Sequence, residues 1–182
     1  MLPLVKFIRK TVFSLVLSSL VLVAAFWIIP IPSAEASIHA YPLETPLGQG
    51  TMVRSLQAFR DNRDRGWQAV LFFNMVNNQV TEVHIRLSGF PGTVVDRSQP
   101  LRVKQGTQTW ELPDAFDVTG KVVSATGNTG EYDAAELMRS LEQSRPMTLT
   151  LSLAAGDVDI ILPPFAVKEW LKLREQATRL KI

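Results

Sequence analysis

The chain has 182 residues, 46% of them hydrophobic, a formal charge of +2 and no cysteine. Without cysteine there is no disulfide framework, no thiol nucleophile and no lipid-anchored lipoprotein. Three of the 19 basic residues and one of the 17 acidic ones lie before Ser37, so the two signs balance in the remainder. A balanced chain lacks the surplus positive charge that displaces counterions from nucleic acid or holds a polybasic segment on a membrane, so neither partner is expected for it.

Met1 to Lys10 carries Lys6, Arg9 and Lys10 and no acid, and Thr11 to Ile29 follows without a charge. Pro30 and Pro32 break a helix there, and Ala34-Glu35-Ala36 supplies the small-x-small pattern of a signal peptidase site. Residues 1–36 therefore read as a secretory signal cut after Ala36. The alternative is an uncleaved membrane anchor, because the apolar run approaches the ~20 residues that span a bilayer. Either way the sequence predicts export, with membrane contact only through this segment.

Residues 37–50, with Pro42 and Pro46, read as an extended lead-in to a single β-rich domain over 51–182. Met52 to Phe59 is a candidate first strand. Arg60 to Gly66 is a charged turn. Trp67 to Val76 is apolar on both faces, as a central strand is. Asn77-Asn78 is a turn, and Val80 to Leu87 alternates. This strand is expected to turn Val83, Ile85 and Leu87 to the core and Glu82, His84 and Arg86 to water. Gly89-Phe90-Pro91-Gly92 ends it. Leu101–Lys104 and Thr107–Leu112 form a hairpin around Gln105-Gly106, with Trp110 as an anchor.

Asp114 to Gly130 reads as irregular. Asp133 and Glu136 then have the spacing of a capping box before a helix with Ala134, Leu137, Met138 and Leu141 on one face. Met147 to Leu153 and Val158 to Leu162 form a second hairpin. Pro163-Pro164 opens a terminal helix whose stripe is Ala166, Trp170, Leu173, Ala177 and Leu180, with its charges on the other face. Strands in hairpin-like runs predict a mainly β (α+β) fold. Its architecture is an antiparallel sandwich or barrel-like sheet, with a mid-chain and a C-terminal helix packed on it.

Only His39 and His84 could serve as histidine bases. One lies in the lead-in and the other faces out beside Arg86, and there is no Gly-x-Ser-x-Gly elbow. Two distant histidines do not make a zinc site. Asp61 to Asp64 resembles a calcium loop only superficially, because Arg63 and Arg65 interrupt it. Asp157 and Asp159 share one side of a strand and suit either a carboxylate-based hydrolase or a solvated edge. Gly127 to Gly130 precedes a helix without the lysine of a phosphate loop, and reads as a turn feeding the Asp133 cap. No catalytic, cofactor-binding or metal residue is assigned, and no cofactor is expected.

Several motifs in order carry a resemblance. These are Ser55-Leu56, Arg60-Asp61, Gly66 to Phe72, Gly89 to Gly92, Gly127 to Asp133, Leu162-Pro163-Pro164 and Lys168-Glu169-Trp170. Over Thr51 to Glu175 the chain resembles an uncharacterised family of exported cyanobacterial proteins classed as a domain of unknown function. The resemblance implies the periplasm or the thylakoid lumen and carries no site residues. The late strands running into an apolar helix are similar to small periplasmic β-sandwich proteins at the level of fold. Two functions follow. The first is a non-catalytic interaction or assembly module for a protein partner in the exported compartment. It would use the two exposed loops, through Arg60, Asp61, Arg63, Asp64, Arg65, Phe90 and Pro91. The alternative is a binder of a small apolar ligand between sheet and helix, lined by Trp67, Phe72, Phe73, Trp110 and Trp170.

Overall fold

The structure, a computed structural model, describes residues 39–45, 48–116 and 127–179, all within the unit Ala36–Ile182. The leader, most of the irregular segment after Asp114, and Leu180 lie outside the described residues. Among the described residues no helix is long and apolar enough to cross a membrane.

Two antiparallel sheets form the fold, which is sandwich-like α+β and not a closed barrel. The first sheet has the order β1 (His39–Thr45), β2 (Gly48–Arg60), β3 (Gly66–Val76), β4 (Gln79–Ser88) and β7 (Thr129–Asp133). The second runs β6 (Gln108–Leu112), β5 (Leu101–Gln105), β8 (Met147–Leu151) and β9 (Val158–Leu162). Helix α1 covers Ala135–Ser140 and α2 covers Pro164–Arg179.

The central position of β3 explains its apolar sequence: Leu71 to Val76 are all buried, on both faces. Asn77 and Asn78 turn the chain with φ of 51° and 60°, the left-handed geometry that asparagine tolerates and a tight hairpin requires. One face of the first sheet carries the rows Val53–Phe73–Val83 and Ser55–Leu71–Ile85–Tyr132. Those rows join Leu101, Leu149, Ile160 and the α2 stripe in one core. Ala166, Trp170, Leu173 and Ala177 are all buried, as the helical spacing predicts.

The extended lead-in contains an edge strand, His39–Thr45, which pairs along β2 with Pro42 opposite Thr51. Proline is tolerated because β1 is an edge strand, where its nitrogen lies on the unpaired side. Three other expectations need correction. Thr129–Asp133 is a strand, so Gly127 to Gly130 leads into β7 and not into a helix. Beyond β7, Ala115 donates its N–H to Glu131 O (2.8 Å) and Asp133 donates to Pro113 O (3.0 Å), which covers that edge. Asp133 Oδ1 does accept the Ala135 N–H at 2.8 Å, but Ala134 occupies the cap position and α1 ends at Ser140, one residue before the expected Leu141. Finally, Glu169 is buried on the inner side of α2, between the stripe residues Ala166 and Trp170.

Candidate interaction site

The β2–β3 turn is organised by one carboxylate. Asp61 Oδ1 accepts the backbone N–H groups of Arg63 and Arg65, each at 2.9 Å. Its Oδ2 accepts Arg65 Nε and the indole Nε1–H of Trp67, again at 2.9 Å each. Burial pushes this carboxyl up. The bonds from the Trp67 indole, from the Arg65 and Arg63 backbone and from the Arg65 side chain outweigh it, and hold the group below the ordinary carboxylate range. Asp64 takes the left-handed conformation (φ 60°) that closes the turn.

This turn is strapped to the second sheet. Asn62 N–H donates to Asp159 O at 2.9 Å, and Asp61 bridges Ile160. Arg63 reaches over the β8–β9 turn and donates to the carbonyls of Ala155 (3.4 Å) and Asp157 (3.2 Å). The Gly89–Gly92 turn comes to the same end of the fold. A Cβ on Gly66 would lie 3.2 Å from the Phe90 ring, and one on Gly89 would lie 2.8 Å from the Trp67 ring. Asn128 clamps Gly89 from the other side, donating Nδ2 to Gly89 O at 2.6 Å and accepting the Gly89 N–H at 2.9 Å.

The seven residues singled out from the sequence thus lie on neighbouring turns, but they divide by role. Asp61 is buried and holds the turn's shape. Arg65 is half-buried against it. Arg60 donates to Asp64 O (2.8 Å) and Oδ1 (3.1 Å), and Arg63 is spent on backbone carbonyls. The charges are therefore answered within the protein. The apolar side chains are not: Phe90 is 66% exposed and Pro91 is exposed. Val94, just beyond the Thr93 N–H···O Phe90 turn, is 52% exposed. Sequence reasoning missed Val94. Its signal was an apolar residue next to a Gly-Phe-Pro-Gly turn.

His84 does not face water. It is 5% exposed, and its Nδ1 lies 2.8 Å from Oε1 of the fully buried Glu131. Arg86 holds Oε2 of the same carboxylate through Nε at 2.7 Å and Nη2 at 2.5 Å, and its guanidinium lies 5.4 Å from the Phe72 ring centre. β7 brings Glu131 to this face, which is why alternation within β4 alone gave the wrong answer. A carboxylate fixing one imidazole nitrogen is the orienting half of a triad, but no hydroxyl nucleophile bonds to the ring among the described residues.

A second buried carboxylate, Glu169, accepts hydrogen bonds from Ser55 Oγ and Gln57 Nε2 on β2. Asp157 pairs with Arg102, and Asp159 accepts Thr150 Oγ1 at 2.6 Å, so each is held by its own partner. Among the described residues no cluster of three or more His, Asp or Glu is placed to hold a metal ion. The expected aromatic pocket does not form. Trp67 and Trp170 fill the core, and Phe72 lies on the opposite face of β3 from Phe73. Trp110 is half-buried with Nε1 donating to Ser140 Oγ at 2.8 Å.

The model of a family described as "Protein of unknown function (DUF3122)" matches residues 43–173, which contain every turn and strand just described except β1's first residues. No curated protein and no solved structure matches the chain.

Proposed function

We propose that this chain, which belongs to the DUF3122 family of proteins of unknown function, is exported to the periplasm or thylakoid lumen. There it serves as a non-catalytic interaction or assembly module. The observation that carries the reading is the pairing of a rigid, internally satisfied charged turn with the exposed side chains of Phe90 and Val94. Rigid support removes most of the entropy lost when loops are ordered on binding, and aromatic side chains dominate binding energy at protein interfaces. The export reading rests on the charge-free run behind Lys10 and the Ala34-Glu35-Ala36 site.

The test is a cross-linked pull-down of carboxy-terminally tagged protein from its own membranes and soluble fractions. A stoichiometric partner retained by the unaltered chain and lost with Phe90→Asp or Val94→Asp is expected, with the melting temperature unchanged because both residues are exposed. Retention by both variants removes this surface from the proposal. Recovery of the unaltered chain as a clean monomer removes the module reading itself.

A further inference from the structure

A groove of about 640 Å³ opens between the start of β4 and the two helices, away from the turns just described. Its volume lies within the ~300–1,000 Å³ of small-molecule sites. Phe73 and Val83 of the sheet and Met138 of α1 form an apolar floor, and Val80, 40% exposed, stands at the mouth. The helical wall carries Arg139 of α1 and Arg174 of α2.

Neither of these two arginines is answered by an acid among the described residues. Arg60, Arg65, Arg86, Arg102 and Arg179 each meet a carboxylate. Arg139 and Arg174 form no ion pair among the described residues. Arg174 Nη1 donates instead to the carbonyls of Met138 (2.7 Å) and Leu141 (2.8 Å), which fixes the guanidinium; its Nε and Nη2 have no hydrogen-bond partner among the described residues, whereas Arg63 uses both of its terminal nitrogens on carbonyls. Arg139 Nε donates only to Ala135 O, at 3.3 Å. Two acids also line the groove. Glu82 is engaged by Asn74 Nδ2 at 2.6 Å, and Glu142 is exposed near the end of α1.

We propose that this groove binds a single-chain amphiphile with an anionic head group. The alkyl chain lies on Phe73, Val83 and Met138, where it leaves water, and the head group meets the guanidinium groups of Arg139 and Arg174. Glu82 and Glu142 both oppose the anion and tune its affinity, since the amide of Asn74 leaves the charge of Glu82 in place.

Laurate titrated into the whole chain tests this, read by calorimetry and by the methyl resonance of Met138. Saturable binding with a shifted Met138 signal is expected. Arg139→Glu should weaken it roughly tenfold, the loss of one charge-assisted contact. Glu142→Gln should tighten it, and Val80→Trp should block it by filling the mouth. Lauryl alcohol should bind more weakly than laurate. The proposal is overturned by absence of binding, by equal binding of the alcohol, or by affinities that Arg139→Glu and Glu142→Gln leave unchanged. Arg139 on α1 and Glu142 just beyond it are both exposed, so these two replacements keep the test decisive even where Val80→Trp disturbs the fold.

Discussion

Replacing Asp61 with asparagine isolates what one carboxylate does for the β2–β3 turn. Asparagine offers one oxygen and one amino group, so two of the four donors around Asp61 must lose their acceptor and meet a donor instead. When the oxygen keeps the backbone N–H groups of Arg63 and Arg65, the loss falls on Arg65 Nε and Trp67 Nε1. The arginine side chain is 34% exposed and can turn to water, whereas Trp67 is 2% exposed and cannot. A buried donor left without an acceptor costs about 1–3 kcal/mol, and loss of the charge weakens the two bonds that remain. The sum is about 3 kcal/mol, a fall in melting temperature of roughly 6–12 °C for a domain of this size. The deficit must also depend on pH. The folded carboxyl titrates below its unfolded value, so its contribution is complete above the ordinary range near ~3.9 and disappears as pH falls through the folded value. Urea unfolding of both proteins from neutral pH downward measures this directly. A neutral-pH difference under about 0.5 kcal/mol, within the usual range of surface substitutions, refutes the account. So does a difference that stays constant into strong acid.

Three further outcomes follow from the packing. Gly89→Ala places a methyl group 2.8 Å from the buried Trp67 ring and is expected to cost about 2 kcal/mol by overpacking, measured by thermal unfolding. Glu131→Gln leaves Arg86 and His84 without their shared carboxylate on a fully buried site, for a loss of about 3 kcal/mol in urea titration. Glu169→Leu strands Ser55 Oγ and Gln57 Nε2 inside the sheet–helix contact, so it should destabilise by about 2 kcal/mol. Adding Ser55→Ala should restore part of that loss.

Elements with one strong periodicity were legible in the sequence. Trp67 to Val76 could only be a strand covered on both faces, and Met147 to Leu151 with Val158 to Leu162 alternates too cleanly for anything but a hairpin. Elements made by pairing were not legible. Thr129–Asp133 is five residues of Thr, Gly, Glu, Tyr and Asp, and becomes a strand only because β4 lies beside it. Glu131 and His84 owe their burial to the same β4–β7 pairing. Glu169 did leave a signal, an acid at the spacing of the apolar stripe, but its answering groups are more than 110 residues away in sequence. At the candidate site the residues were legible and their roles were not. Whether an arginine is free for a partner depends on carbonyls such as those of Ala155 and Asp157, which no local pattern reveals.

Both edges of the first sheet carry a feature that discourages further strands. At one, Pro42 withholds a backbone donor; at the other, Pro113 to Ala115 occupy the groups that β7 would present. Addition of strands from other copies is therefore disfavoured at each end. The two segments with the weakest strand signal in the sequence thus oppose edge-to-edge pairing. Pro42→Thr, which restores the donor without touching the core, would open one of the two edges.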